Sequence, residues 1–265
     1  MSGLTELIFL ALLGSVVALV GGVMFLYIDK WSKVLSKYSI PFAAGVLITV
    51  ALVGLLPEAI HIGGEKSFLV VWLTFLGAYI FENLVCDLHH HDHGDSCKDN
   101  SGSVLLVIIG DTIHNFIDGV AIGASYLVNP GLGLVTALST FLHEVPHEIG
   151  DFGILLKAGW KKKKIFMVNL GSALMTVAGA LLVYFLNCSD ALIGGLLAVA
   201  AGMFLYLGAS DFLPHAGEGV DKKKAMMTLF FGAVIMYGTL SIIPHGHEVE
   251  KHDHGVTGSD PVSGV

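Results

Sequence analysis

Arginine is absent from this 265-residue chain, and only 14% of its residues carry charge. A soluble domain has roughly a quarter charged residues and no long uncharged runs, so a soluble globule is excluded. The net charge is −8, spread through the sequence. With no arginine and no basic face, nucleic acid is not expected as a partner. Cysteine is scarce too: Cys86, Cys97 and Cys188 fit neither a disulfide framework nor a CxxC zinc knuckle. Cys97, in a histidine-rich stretch, is suited to a soft metal; Cys86 and Cys188 read as packing or loop residues.

What the chain does have is apolar length. It is 54% hydrophobic, with a mean hydropathy of +0.76. Stretches of about 18 or more nearly uncharged residues recur, each long enough to cross a hydrocarbon core about 30 Å thick. Eight can be marked, over 5–28, 38–62, 67–87, 103–128, 132–158, 163–186, 190–214 and 225–243. Backbone hydrogen bonds must close within each crossing segment, so helices are the reading. The fold expected is all-α: a polytopic bundle of eight spans forming one transmembrane domain over 1–265, with the lipid bilayer as its surroundings. The first stretch, Leu7 to Ile28, lacks a basic leader and exceeds the length of a signal h-region, so it reads as span 1.

The lysines orient the spans. Twelve of the fourteen fall in alternate loops: Lys30, Lys33, Lys37, Lys98, Lys157, Lys161 to Lys164, and Lys222 to Lys224. Only Lys66 and Lys251 fall on the other side. Positive charge marks the cytoplasmic face, so both termini are expected to be extracellular or lumenal, in a cell membrane, plasma or inner. Two polar stretches interrupt the pattern. A cytoplasmic loop, 88–102, holds His89, His90, His91 and His93, and a far-side tail, 244–265, holds His245, His247, His252 and His254. Each is too polar to pack; weak metal capture and a plain solvated segment are the two readings.

Leu56-Pro57-Glu58-Ala59 closes span 2 and Leu213-Pro214-His215-Ala216 closes span 7. The two spans run in opposite directions, so the matching ends lie at opposite faces, as an inverted-topology repeat requires. Around spans 4 and 5 this gives a 3+2+3 arrangement.

Those two central spans carry the chemistry. Span 4 contains Asp111, His114, Asn115 and Asp118; span 5 contains His143, Glu144, Pro146, His147, Glu148 and Asp151. Ionisable groups at bilayer depth cost several kcal/mol each, so a cluster of them marks function. Residues four apart share a helical face, which sets His114 beside Asp118 and His143 beside His147. Three imidazoles and a carboxylate suit zinc; cadmium, iron, cobalt and manganese stay open, because affinity order alone rarely sets selectivity. A second set, Asn115, Asp118, Glu144 and Glu148, is offset by about one residue and permits an adjacent metal position with Asp118 as bridge. Asp111 is placed to orient the free ring nitrogen of His114. Pro146 leaves the carbonyl of Leu142 without a donor and kinks span 5, opening room for an ion. The bland alternative is a polar network that only ties the two spans together. At the span ends, Glu58, His61 and Glu65 outside, and His215, Glu218 and Asp221 inside, read either as intake and release relays or as ordinary helix termini. Asn169 and Ser172 on span 6 either line the site or hydrogen-bond between helices.

His143-Glu144-Val145-Pro146-His147 also fits HExxH, the zinc-peptidase pattern, so an intramembrane zinc metalloprotease is the enzyme alternative. Pro146 distorts the register that pattern relies on, and matching ligands on span 4 favour transport. A cation-diffusion exporter also carries His-x-x-x-Asp on membrane helices, but such exporters resemble six-span proteins with a folded cytoplasmic C-terminal domain.

His114-Asn115-Phe116-Ile117-Asp118-Gly119, taken with His143-Glu144-Val145-Pro146-His147-Glu148-Ile149-Gly150-Asp151, resembles the ZIP (Zrt/Irt-like protein) metal transporters. The second motif is similar to the HExPHExGD signature of their LIV-1 branch. The resemblance covers all eight spans. It implies a transporter rather than an enzyme, zinc or a related divalent metal as substrate, and uptake toward the cytoplasm. It also implies a binuclear site on spans 4 and 5, an elevator-like shift of spans 1, 4, 5 and 6 against 2, 3, 7 and 8, and a homodimer. Some ZIP proteins add a span-6 acid, where this chain has only Asn169 and Ser172.

Overall fold

A computed structural model describes residues 2–90, 101–186 and 188–244. The core of the histidine-rich loop (91–100, with Cys97) and the tail from 245 on lie outside the described residues, as do the side chains of Cys86, His89 and His90. All regular structure among the described residues is helical: α1 Ser2–Gly14, α2 Leu19–Tyr27, α3 Asp29–Thr49, α4 Leu56–Gly63, α5 Lys66–His90, α6 Ser101–Val128, α7 Pro130–Lys157, α8 Lys162–Phe185, α9 Asp190–Tyr206, α10 Leu213–His215 and α11 Lys222–Ile242. Wider π-helical turns, Val50–Leu55 and Leu207–Phe212, join α3 to α4 and α9 to α10. Six rods are long and apolar enough to cross a membrane. α5, of 25 residues, is apolar over its described stretch Lys66–Phe81, and α7 has the length but carries the ionisable cluster. With these two the rods number eight, as expected.

One detail differs from the sequence reading. Span 1 is broken between α1 and α2. There Val17 N bonds back five residues to Leu12 O, while Ala18 N bonds back three to Ser15 O. Ser15 Oγ also donates to Ala11 O at 2.8 Å, offering that carbonyl a second partner and loosening the regular ladder. The helix of span 2 starts at Asp29, while its apolar crossing part runs over Lys37–Gly63, where the sequence placed it.

The repeat suggested by Leu-Pro at 56–57 and 213–214 has a structural counterpart. A proline offers no N–H, and its ring crowds the carbonyl four residues back. Both spans meet this with the same device, a wide turn in which Leu56 N reaches Ala51 O and Leu213 N reaches Gly208 O, five residues behind. α4 packs on α9 while α3 packs on the second wide turn, so the two spans run antiparallel. α5 lies on α9 as α11 lies on α3, the exchange an inverted repeat predicts.

Glycine seams hold the rods together. A Cβ on Gly119 would lie 2.0 Å from Thr176 O, and one on Gly179 would lie 2.2 Å from Phe116 O, so α6 and α8 touch backbone to backbone. Gly45 and Gly232 make the equivalent seam between α3 and α11. Outside these contacts, apolar side chains such as Trp72, Phe230 and Phe231 are exposed, as a bilayer solvent demands.

The α6–α7 hairpin positions the polar cluster. Asn129 is extended, its Oδ1 accepts from Gly131 N at 2.7 Å, and Pro130 opens α7. His114 precedes Asn129 by 15 residues and His143 follows it by 14. At 1.5 Å per residue both sit about 22 Å from the turn, at one depth.

Replacing Gly179 with valine should force α8 off α6 and lower stability by about 1–3 kcal/mol or more. Gly171, whose added Cβ would meet nothing within 4 Å, is the control as Gly171→Ala. Thermal unfolding in detergent should separate the two, and equal midpoints would refute the seam.

Candidate metal centre

Where the two helices face each other, His114, Asp118, His143 and Glu144 each contribute an atom to a group no wider than 4.8 Å. His114 Nε2 lies 3.0 Å from Glu144 Oε1 and 3.7 Å from Asp118 Oδ2. His143 Nε2 lies 3.0 Å from Asp118 Oδ2 and 4.0 Å from Glu144 Oε1. Ligands at zinc bond lengths on a tetrahedral ion would stand about 3.4 Å apart. The observed spacings straddle that value, and closing the widest pair, up to 4.8 Å, by about 1.4 Å would place the four on one cation.

These atoms do not satisfy one another. His114 Nε2, both Asp118 carboxylate oxygens, His143 Nε2, Glu144 Oε1, His147 Nε2 and Glu148 Oε2 are all buried without a hydrogen-bond partner. Those of His114, Asp118, His143 and Glu144 converge on a common space. Left without a partner each would cost about 1–3 kcal/mol, so the group calls for positive charge, as a bound cation or as protons on the imidazoles. His143 makes the point sharply. Its Nδ1–H donates to Ser139 O at 2.9 Å, so in the neutral ring Nε2 carries a lone pair. That lone pair faces a carboxylate oxygen at 3.0 Å. Two acceptors at that distance repel unless positive charge lies between them, either a proton on Nε2 or a bound cation.

The four grouped residues differ in one member from the four whose helical spacing suggested a common face. Glu144 joins the group, whereas His147 stacks on the His114 ring with centroids 4.8 Å apart. Spacing alone placed Glu144 about 100° round the helix from His143, but its longer side chain spans the gap. Asn115 is fully buried and otherwise engaged. Its Nδ2 donates to Asp111 Oδ1 at 2.8 Å and to Ser172 Oγ at 3.4 Å, and its Oδ1 accepts from Thr176 at 2.9 Å. Asp111 therefore pairs with Asn115, and Ser172 serves as an inter-helix link. Asn169 Nδ2 donates to Ile165 O on its own helix. Glu148 is buried one turn beyond Glu144.

Span 7 supplies a wall that the motifs did not reveal. Phe204 meets the edge of His143 at 5.3 Å, and Phe212, at the end of the second wide turn, lies 4.9 Å from His147. Both sit in an ordinary apolar run, so no polar signal marked them. A cavity of about 680 Å³ adjoins the site, lined by Asp111, His114, His147, Asp151, Tyr206 and Asp211 among others. It runs toward the start of α6 and the end of α7, the lysine-bearing end. At the other end a separate cavity of about 410 Å³ is lined by His61, Leu127, Val128 and Asp190. Of the span-end residues, Glu58 is buried, and Glu65 and Glu218 are exposed. His215 Nδ1 donates to Asp211 O at 2.6 Å, and Asp221 caps α11 through Lys223 N and Lys224 N.

An eight-rod helical bundle with buried imidazoles and carboxylates converging at mid-depth defines a multi-pass membrane protein with a site fit for a divalent cation. The chain belongs to the ZIP zinc transporter family, whose model matches residues 82–240, and its central helix carries the HExPHExGD sequence of the LIV-1 branch. It is 40% identical over 149 residues to the zinc transporter ZIP10 of Danio rerio, covering 52% of this chain and 17% of that protein. It is 42% identical over 133 residues to the zinc transporter ZIP4 of Homo sapiens, covering 50% and 21%. The Drosophila melanogaster zinc transporter foi is 39% identical over 138 residues, covering 52% and 20%. The chain thus spans about a fifth of the length of these relatives.

The geometry ranks the residues. Glu144→Ala should weaken zinc binding by about 100-fold, and His147→Ala by less than about tenfold. Competition titration of detergent-solubilised protein measures both; the reverse order would contradict the grouping.

Proposed function

We propose that this protein carries zinc across a membrane toward the cytoplasm through the α6–α7 site. One observation supports this above the rest: ligand atoms of two imidazoles and two carboxylates, buried between α6 and α7, all lie within 4.8 Å of one another. His114, Asp118, His143 and Glu144 hold the ion, and Ser139 O fixes the tautomer in which His143 Nε2 can bind it. Phe204 and Phe212 keep the imidazoles from turning away. Asp118 bridges to a second position toward Glu148 and His147, and Asn115 contributes there once Thr176 releases its oxygen. Ligation needs neutral imidazole and ionised carboxylate, so protons compete with the metal.

The lysine asymmetry supports a cytoplasmic face at the large-cavity end, with both termini outside or lumenal and a plasma or inner membrane as host. On that reading the state described here faces the cytoplasm. The ion leaves past Asp111, Asp151 and Asp211, toward the histidine loop at 88–102. The tail at 244–265 gathers metal on the opposite side, and the protein works as a homodimer. Zinc is favoured over cadmium, iron, cobalt or manganese by the pair of imidazoles. The peptidase reading gains no support: Glu144 lies within the ligand group rather than beside it, and the relatives named above are zinc transporters.

In proteoliposomes loaded with a zinc-sensitive dye, His143→Ala and Asp118→Ala should each cut influx at least about tenfold. Wild-type influx in both would dismantle the proposal. Proteolysis of a substrate panel, abolished by Glu144→Gln, would replace it with the enzyme reading.

A further inference from the structure

The ligand-bearing face of α7 continues beyond the site. Residues 136, 139, 140, 143, 144, 147 and 148 recur at spacings of one, three and four, a single stripe along the helix. From 143 onward the stripe is imidazole and carboxylate. Above it, toward the small outer cavity, it is hydroxyl: Thr136, Ser139 and Thr140, each with no solvent exposure. α6 answers with Ser125, seven residues beyond Asp118 and likewise fully buried. Ser125 Oγ and Thr136 Oγ1 lie 3.0 Å apart, so the cross-links between α6 and α7 run Ser125–Thr136, Asp118–His143, His114–Glu144 down the hairpin.

Ser139 and Thr140 stand out among the hydroxyls of the spans. Those of Ser15, Thr49, Thr112, Thr136, Thr228, Thr239 and Ser241 all donate to the carbonyl four residues back. That is the usual way to satisfy a hydroxyl on a membrane helix. Ser139 Oγ and Thr140 Oγ1 do not; both are buried with no hydrogen-bond partner. The methyl of Thr140 lies 3.2 Å from where a Cβ on Gly14 would stand, so its α1-facing side is apolar. At this level α6 presents Ile122, which also packs toward Gly14.

We propose that Ser139 and Thr140, backed by the Ser125–Thr136 pair, form a transient oxygen site for a partly hydrated divalent cation on the outer side of the ligand group. Neutral hydroxyls replace part of a hydration shell yet hold a zinc-like ion more weakly than imidazole and carboxylate. A permeation path needs such weak stops, favourable enough to enter and weak enough to leave. The stripe thus grades from weak to strong donors along the inward direction. This inference rests on reading the α6–α7 group as the transport site.

The test uses the full chain with zinc itself as probe. In proteoliposomes, Ser139→Ala with Thr140→Val should lower zinc flux about fivefold or more, a loss comparable to removing one hydrogen-bonding partner. Equilibrium zinc binding to the solubilised protein should stay unchanged, since Ser139 O, which holds His143, survives the substitution. Ser139→Thr with Thr140→Ser keeps both hydroxyls and should keep wild-type flux. Full flux in the Ala/Val variant, beside an inactive His143→Ala control, overturns the hydroxyl site alone. Loss of binding along with flux overturns it in favour of a packing role. If His143→Ala transports normally, the transport-site reading fails and the hydroxyl site with it.

Discussion

Two imidazoles and two carboxylates are held here at one depth in a bundle surrounded by hydrocarbon, and the surrounding structure answers to that demand. Such groups repel an apolar setting and, when their lone pairs face each other, repel one another. They stay together because α6 and α7 are joined by the short turn at Asn129–Pro130, which fixes their register before any side chain meets its neighbour. The backbone then assists: Ser139 O aims one ring, and the aromatic faces of Phe204 and Phe212 fence two. The arrangement is stable only as a host for positive charge, which ties structure to function at the level of single atoms.

Much of this was legible in the chain itself, because membranes constrain sequences severely. Long apolar runs located the rods to within a few residues, and the motifs at 114–118 and 143–151 marked the helices that meet. What could not be read was side-chain reach. Helical spacing put His147 beside His143, yet the length of Glu144 carried it into the group while His147 stacked on a ring. Asn115 is engaged at both ends of its amide: Asp111, one turn back on the same helix, could be read from spacing, whereas Thr176 on α8 is brought near only by tertiary packing. The break in span 1 was hidden for another reason. Ser15 is an unremarkable residue in an apolar stretch, and only the slipped backbone bonds around it reveal the interruption.

The glycine seams divide the bundle in two. Backbone-to-backbone contacts join α6 to α8, α3 to α11, α4 to α9 and α5 to α9. All of these lie either within the set containing α1, α2, α6, α7 and α8 or within the set containing α3, α4, α5, α9, α10 and α11. Between the sets, α3 meets α7 and α6 meets α9 without such a seam; among the described residues Gly131 against Pro244 O is the one close glycine approach that crosses over, at the outer edge. The grouping has a physical basis in where the backbones interlock. The wide turns before Pro57 and Pro214 belong to the second set.

The Asn129–Pro130 turn also has a mechanical meaning. With ligands about 22 Å from the bend, the two helices act as the arms of a pair of callipers. A change of about 5° in the angle between them shifts the jaws by about 2 Å, more than the spread among the ligand spacings. Ion size would then be measured as an angle at a distant corner of the molecule, and a residue there could tune which metal fits without ever touching it.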